Sequence, residues 1–573
     1  MLHFHPHHGF IIALLFTLVG CTNQPSPTSI PQTSVPIPGA STEATTSTTE
    51  APAPTPAMTK TRVTFTSDKL TLEGFLYKPS GDGPFPAVVW NHGNEQNPDS
   101  SPELDAVAKI FVPAGYIVFM PVRQGQGESQ GESLQSQMQQ QASGAAQQFF
   151  VQQMEGPQLD DQLAGLTYLK SLSYVDPNRL AVAGCADGGI QTLFAAEKDA
   201  GYKAAIVLSP ASDSWDSNQL LQQSLTKAVG NINIPVFLIH PEKDVSVAPG
   251  YALAQEFLRL NKAYSLKIYP PFGSADEQGE CFGNGNGFHW WAADGLSFLA
   301  NALSPKPTGA SQPPLPSPTS PLKPEQITLK NDGLNLVGYV YKPNGPGPFP
   351  GIIWNHGSEQ NPTPGSEFNS IASVFVPAGY AVVAPVRRGQ GGSQGTYIQD
   401  QLQQEFQAHG HAAADQLFVQ LMDGPELDDQ LSGLKYLENL PYVDKNRIAV
   451  VGCSYGGIET LFGAESDAGY KAAVAISPGA ESWKGSPLLQ QKLGQAVGNI
   501  KIPTLMMHPA HDASLEPGLT LGPQFQQSGK PYGLQIFPPF GNAVEHCFGG
   551  GTAGEGKDVW GPDALSFLSQ VLH

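Results

Sequence analysis

Residues 448–457, with the sequence IAVVGCSYGG, decide the fold: an apolar run leads into a glycine-rich turn that carries a serine. Ile448 to Val451 have the length and β-branching of a buried strand, and a helix is predicted from about Gly456. The turn Gly452–Gly456 has the pattern Gly-x-Ser-x-Gly, in which glycines allow the tight backbone that lifts the hydroxyl of Ser454 out of a sheet. The stretch predicts a strand, a turn and a helix within a mostly parallel sheet.

The same unit occurs earlier in the chain with one decisive change. Gly184–Gly188 has the sequence GCADG, so alanine stands where the later copy has serine. Other landmarks recur in the same order: Trp90–Gly93 returns as Trp354–Gly357. A repeat this long predicts two tandem domains of about 240 residues each.

Composition suggests where these domains begin and end. Pro-, Ser- and Thr-rich segments are typical of solvated spacers, and they cover residues 22–60 and 304–324. We therefore predict a degenerate domain over residues 61–303 and a catalytic domain over residues 325–573, preceded by a signal segment at 1–21.

Patterning within the second copy indicates the fold class. Two alternating segments flank Asn331-Asp332-Gly333, which predicts an antiparallel hairpin at the start of the domain. Short apolar runs typical of buried strands then alternate with segments of helical spacing. The strands are predicted at 350–354, 380–385, 448–452, 472–476, 504–507 and 534–537, and the helices at 367–378, 426–437, 456–464 and 563–572. This alternation predicts an α/β domain, a mostly parallel sheet with helices on both faces.

A serine hydroxyl is a weak nucleophile and needs a base and an orienting acid, expected here in the order Ser, Asp, His. Asp512 follows the strand at 504–507, and His546 lies in the loop after the strand at 534–537. We predict Ser454, Asp512 and His546 as the catalytic residues. The alternatives close to Asp512 are the imidazoles of His508 and His511 and the carboxylate of Glu516.

Acyl transfer also requires donors for a developing oxyanion. The backbone N–H groups of Tyr455, directly after the serine, and of Ser358, after an early strand, are predicted to supply them. The segment from Gln394 to Pro425 is expected to cover the site.

The first copy lacks this machinery. Asp244 matches Asp512, but Ala186 replaces the serine, and either Gln278 or Glu280 stands opposite His546, depending on where a gap is placed. We therefore predict that the first domain is not catalytic.

Four cysteines occupy matched positions in the two copies. Cys185 and Cys453 precede the alanine and the serine, while Cys281 and Cys547 lie in each copy's last long loop. If the catalytic residues meet in space, these loops meet too, so bridges Cys185–Cys281 and Cys453–Cys547 are predicted. Buried free thiols are the alternative.

Charge and motifs exclude several partners. Thirty basic and 50 acidic side chains give a net charge of −20 without any basic run, which argues against nucleic acid. Arg387–Gly391 is glycine-rich but lacks the lysine of a phosphate-binding loop, so no nucleotide is expected. The predicted chemistry needs no metal and no cofactor.

The N-terminus carries a short apolar run, Phe10 to Val19, followed by Gly20 and Cys21. It is too short to span a bilayer and resembles a bacterial lipoprotein signal. The resemblance implies lipidation of Cys21 and an extracytoplasmic, membrane-anchored protein. A cleaved secretory signal, giving a secreted protein, and an uncleaved buried segment are the alternatives.

Both copies resemble the α/β-hydrolase superfamily, in its dienelactone hydrolase-like and prolyl oligopeptidase-like branch. The resemblance rests on His356-Gly357, the glycine turn at Arg387 to Ser393, the serine turn, Asp512 and His546. It implies a serine hydrolase that forms an acyl-enzyme from a small ester. Dienelactone hydrolases carry cysteine as nucleophile, whereas here Cys453 precedes Ser454, so ester hydrolysis is favoured over lactone cleavage. An S9-like peptidase, dienelactone hydrolase-like activity and a non-catalytic binding or scaffold lipoprotein are the alternatives.

Overall fold

One mixed sheet of 16 strands runs through both halves of the part of the chain that the computed structural model describes, namely residues 58–142, 144–304, 322–539, 545–549 and 556–572. The predicted signal with Cys21, nearly all of the first spacer and most of the second lie outside these ranges. None of the described helices is long and apolar enough to cross a membrane.

The first half contains eight strands and nine helices within the described ranges. The strands are β1 (Lys60–Ser67), β2 (Leu70–Tyr77), β3 (Phe85–Asn91), β4 (Ile117–Pro121), β5 (Val175–Cys185), β6 (Ala204–Leu208), β7 (Val236–Pro241) and β8 (Tyr264–Tyr269). The helices are α1 (Pro102–Phe111), α2 (Leu134–Gln139), α3 (Ala146–Glu155), α4 (Pro157–Lys170), α5 (Asp187–Glu197), α6 (Gln219–Asn231), α7 (Ala248–Arg259), α8 (Cys281–Asn284) and α9 (His289–Leu303).

The second half repeats this order. Its strands are β9 (Glu325–Asn331), β10 (Leu334–Tyr341), β11 (Phe349–Asn355), β12 (Ala381–Pro385), β13 (Val443–Cys453), β14 (Ala472–Ile476), β15 (Thr504–Pro509) and β16 (Tyr532–Phe537). Its helices are α10 (Asn369–Phe375), α11 (Ile398–His409), α12 (His411–Met422), α13 (Pro425–Glu438), α14 (Tyr455–Glu465), α15 (Pro487–Asn499), α16 (Glu516–Ser528) and α17 (Lys557–Val571).

Each half confirms the predicted fold class. β9 and β10 form the expected antiparallel hairpin, in which Leu334 pairs with Asn331, and β10 pairs antiparallel with β12. β11 to β16 are then linked by parallel pairs in the order β12, β11, β13, β14, β15, β16. Because the carboxyl ends of parallel strands lie at one edge, the turns that directly follow β11, β13 and β15 converge there.

The two halves are joined through their last strands. β16 pairs antiparallel with β8, with Gln535 opposite Lys267. The Lys267 ammonium also forms ion pairs with Asp294 at 2.8 Å and Asp563 at 2.5 Å, one acid from each half. The described residues from Met58 onward consequently belong to one compact unit, although the chain repeats itself.

Alternating strand residues build separate cores on the two faces. On one face a single apolar cluster continues across the junction, where the hydroxyls of Tyr251 and Tyr532 lie 2.9 Å apart. On the other face each half has its own core around stacked tryptophans, with Trp90 on Trp291 and Trp354 on Trp560.

Candidate active site

Ser454 lies in the sharp turn between β13 and α14. Its backbone has φ 57° and ψ −117°, a strained conformation for a residue with a Cβ. The neighbouring strand comes so close that a Cβ on Gly456 would lie 2.0 Å from the carbonyl oxygen of Asn355. Glycine is therefore required at this position, and the predicted strand, turn and helix are all present.

The three predicted catalytic side chains form one hydrogen-bonded row. Nε2 of His546 lies 2.9 Å from Oγ of Ser454, and Nδ1 of His546 lies 2.6 Å from Oδ1 of Asp512. All three side chains are at least nine-tenths buried. The arrangement is that of a nucleophile, a general base and an orienting acid.

A second histidine, His508, contacts the same carboxylate. Its Nδ1 lies 2.8 Å from Oδ2 of Asp512, and its ring is fully buried at the end of β15. The sequence offered His508 only as a substitute for His546, whereas the structure uses both. The repeat could have indicated this role, because the same histidine and aspartate occur in the first half as His240 and Asp244. They make the same contact there, at 2.8 Å.

These contacts set the charges of the row. Burial raises the pKa of Asp512, but hydrogen bonds with His508 and His546 outweigh burial and hold it well below its usual range. Burial lowers the pKa of His546, and the bond and charge of Asp512 outweigh that effect and raise it above its ordinary value of 6.5. Asp512 is therefore ionised throughout the neutral range and stabilises a proton on His546.

The predicted oxyanion donors lie at two loop ends on this edge. Tyr455 is the first residue of α14, and Ser358 follows β11. Neither backbone N–H has an acceptor among the residues that the structure describes. Both N–H groups are therefore unpaired, as donors to an oxyanion must be before substrate binds.

Arg387 fixes the loop that carries Ser358. Its guanidinium is fully buried and donates to the carbonyl oxygens of His356, at 2.7 Å, and of Gly357. Glu459 lies 3.0 Å from this guanidinium and Glu426 lies 3.2 Å from it. His356 also accepts the Arg387 backbone N–H, so this histidine supports the loop and is not part of the catalytic row.

Helices α11 and α12 cover the site from above the serine turn. Gln399 donates to the hydroxyl of Tyr455 at 2.9 Å, and the ring of Phe418 lies 5.0 Å from the ring of Tyr455. The hydroxyl of Tyr397, just before α11, donates to the carbonyl of Ser358. The segment expected to cover the site thus contacts both residues that carry the oxyanion donors.

The first half has the same turn as the second but lacks the catalytic serine and histidine. Ala186 has φ 53° and ψ −119°, the same strained backbone as Ser454. Glu280, directly before Cys281, takes the place of His546, and its carboxylate accepts the hydroxyl of Ser212 at 2.6 Å. The alternative alignment with Gln278 is therefore not the one that the structure shows.

Both predicted cysteine pairs are bridged in the structure. Cys185 joins Cys281 with a Cα–Cα distance of 5.8 Å, and Cys453 joins Cys547 at 6.0 Å. Each bridge ties the turn to the last long loop of its half. In the second half it links the residue before Ser454 to the residue after His546. Among the described residues, no group of three or more metal-binding side chains is assembled.

Two family models match the chain. The dienelactone hydrolase family matches residues 72–275, and the X-Pro dipeptidyl-peptidase (S15) family matches residues 332–514. One match falls in each half of the chain. Together they support a hydrolase of the α/β-hydrolase superfamily, with esterases and peptidases as the related activities.

Curated relatives match over shorter segments. The quorum-quenching protein AidA of Acinetobacter baumannii is 27% identical over 164 residues, which are 29% of this chain and 48% of that protein. The esterase FrsA of Klebsiella pneumoniae is 26% identical over 185 residues, or 32% of this chain and 38% of the esterase. The chain thus spans less than half the length of these two relatives.

Solved structures match a little under half of the chain. An acylaminoacyl peptidase from Pyrococcus horikoshii is 19% identical with a TM-score of 0.35, covering 44% of this chain and 42% of the peptidase. An esterase from Pyrococcus furiosus is 14% identical with a TM-score of 0.33, covering 43% of this chain and 92% of the esterase.

Proposed function

We propose that the protein is an extracytoplasmic serine hydrolase whose second domain cleaves carboxylic esters through an acyl-enzyme. The observation that carries the proposal is the unbroken row from Ser454 through His546 to Asp512, at 2.9 Å and 2.6 Å. The first domain has no equivalent of the first two groups, so turnover is assigned to the second domain alone.

In the first half of the proposed cycle, Nε2 of His546 removes the proton of Ser454 while Oγ attacks the ester carbonyl carbon. The resulting imidazolium is stabilised by ionised Asp512. The tetrahedral intermediate collapses when His546 returns the proton to the departing alcohol, which leaves an ester between Oγ and the acyl group.

In the second half a water molecule replaces the alcohol. His546 removes a proton from this water as its oxygen attacks the acyl carbon, and then protonates Oγ as the acid leaves. Both intermediates place negative charge on the former carbonyl oxygen, where the amides of Ser358 and Tyr455 would donate. One such donor is worth about 3 kcal/mol of transition-state stabilisation.

The proposed location rests on two independent features. The segment ending at Cys21 resembles a lipoprotein signal, and each half contains a disulfide, as is common in proteins of oxidising compartments. Lipidation of Cys21 would anchor the chain to a membrane, with residues 22–60 as a tether. A cleaved signal, leading to a secreted protein, remains the alternative.

A peptidase is the second candidate, because the match over residues 332–514 is to a peptidase family. Turnover of p-nitrophenyl butyrate and of alanyl-prolyl p-nitroanilide by the purified protein separates the two activities. We expect turnover of the ester with a clear excess over the anilide, and loss of both in Ser454→Ala. Preferential cleavage of the anilide would favour the peptidase. No turnover of either substrate by the folded protein would favour a binding or scaffold lipoprotein.

A further inference from the structure

A cavity of about 590 Å³ lies in the first domain, beside the turn that carries Ala186. Arg123 and Asp187 are among its lining residues. This volume is within the range of small-molecule sites, about 300–1,000 Å³. The cavity occupies the part of the first domain that corresponds to the surroundings of Ser454 in the second.

Two substitutions between the repeats account for this space. Asp187 follows Ala186 as Tyr455 follows Ser454, and Ser133 replaces Tyr397. The second equivalence is structural, because a Cβ on Gly125 or Gly389 would lie 2.1 Å from the backbone nitrogen of Ser133 or Tyr397, respectively. The first domain therefore has two small side chains where the second has two tyrosines.

Loss of these rings also exposes an apolar wall. In the second domain the ring of Phe418 packs against Tyr455, at 5.0 Å between centroids. Its counterpart Phe150, together with Leu134 and Met138, instead lines the cavity. An apolar part of a ligand would be desolvated against these three side chains.

Besides its apolar wall, the cavity has negatively charged groups, which are carboxylates. Asp187 lines the cavity, and its carboxylate has neither a hydrogen-bond donor nor an ion-pair partner among the described residues. Exposed Asp213 lines the cavity as well, and Glu280 adds a third acid that interacts with both. The second domain has neutral Tyr455 in place of Asp187 and His546 in place of Glu280, so the repeat has gained negative charge here.

Arg123, the one cation among the described residues that line the cavity, is held by hydrogen bonds to the protein. Each of its three side-chain nitrogens already donates to a protein oxygen: of Gln126 at 3.3 Å, of His92 at 2.9 Å and of Gly93. Burial raises the pKa of Asp187 to about 6, and the charge of Arg123 opposes that rise.

We propose that the first domain binds a small organic cation in this cavity, an amine with an apolar substituent. The ammonium group donates hydrogen bonds to the unpartnered carboxylate of Asp187, and the substituent lies against Phe150, Leu134 and Met138. An unpaired acceptor beside an apolar wall matches this ligand class and disfavours anions. The assignment does not depend on catalysis in the second domain.

The test uses n-hexylammonium as probe and the full-length protein, with binding followed by isothermal titration calorimetry. Hexanol and hexanoate have the same chain with a neutral or anionic head group. Asp187→Asn removes the charge without changing the side-chain shape, and Ser133→Tyr restores the ring of the second domain. Asp199→Asn, an exposed position beyond the far end of α5, controls for the change in net charge. Thermal unfolding reports whether each variant is folded.

We expect one equivalent of hexylammonium to bind at least about tenfold more tightly than hexanol or hexanoate. Asp187→Asn should weaken binding by about tenfold or more, Ser133→Tyr should abolish it, and Asp199→Asn should leave it unchanged. Three results would overturn the proposal: no binding of the amine, hexanol binding as tightly as the amine, or full affinity in Asp187→Asn. The isosteric Asn variant keeps the test decisive if the tyrosine variant does not fold.

Discussion

Nε2 of His546 lies 2.9 Å from Oγ of Ser454, although 92 residues separate them in the chain. The two side chains come from different loops at the carboxyl edge of the sheet. The bridge Cys453–Cys547 joins the residue before Ser454 to the residue after His546, so one covalent link connects the two loops.

Removal of this bridge should reduce both stability and catalysis. We expect Cys453→Ser combined with Cys547→Ser to lower the free energy of unfolding by about 2–5 kcal/mol, since the bridge closes a long loop. The kcat for ester hydrolysis should fall as well, because His546 is no longer held near the turn. Denaturant unfolding and steady-state kinetics measure the two effects.

The matched control is Cys185→Ser combined with Cys281→Ser, which removes the bridge of the first domain. A similar loss of stability with kcat unchanged is expected. Equal losses of kcat in the two double variants would show that the bridge has no local effect on the catalytic row.

The pH dependence of kcat/KM should follow His546. The base must be neutral to accept a proton, and its pKa is raised above 6.5 by Asp512. The rate should therefore rise about tenfold per pH unit at low pH and reach half of its plateau above pH 6.5. In Asp512→Asn the raising charge is lost, so the midpoint should move to lower pH and the plateau should fall by about 10⁴-fold. An unshifted midpoint in that variant would mean that another group controls the profile.

His508 is expected to act as a positioning residue through Asp512. His508→Leu removes one hydrogen bond from the carboxylate, so kcat/KM should fall by roughly tenfold, equivalent to about 1.4 kcal/mol. Because the remaining negative charge then acts more strongly on His546, the midpoint of the pH profile should move upward.

His240→Leu removes the same contact from the first domain and serves as the control. It should lower stability by about 1–3 kcal/mol without changing the pH profile. If His508→Leu likewise changes only stability, the second histidine has a purely structural role.

The first domain should regain a reactive serine only when two residues are changed together. In a Ser454→Ala background, Ala186→Ser restores the hydroxyl in an unchanged strained turn, but Glu280 supplies no imidazole. Adding Glu280→His completes a row with Asp244. Reaction with a fluorophosphonate, followed by intact-protein mass spectrometry, should be seen in the variant with both changes and be absent with Ala186→Ser alone. Labelling of the single variant would show that the imidazole is dispensable for this reaction.

The sequence predicted the features that depend on local pattern. The hairpin at 325–341, the strand and turn around Ser454 and the separation of helices from strands all follow from periodicity and glycine placement. The segment expected to cover the site was also located, although its two helices, α11 and α12, were not separated by sequence.

Contacts between distant parts of the chain could not be predicted from local pattern. Nothing local distinguishes β8 and β16 as strands that pair with each other, because each could equally have ended its own sheet. The hydrogen bonds of Asp512 with both His508 and His546 depend on how the loops are arranged in space. Likewise, the cavity beside Asp187 results from side chains that are absent, and its volume depends on how α2 and α3 pack.

The most direct test of the central claim is covalent labelling of the wild-type protein with a fluorophosphonate, with the modified residue mapped by peptide mass spectrometry. We expect one adduct per chain, on Oγ of Ser454, and none in a Ser454→Ala variant that unfolds at a similar temperature. An adduct on any other residue, or a folded wild-type protein that does not react, would contradict it.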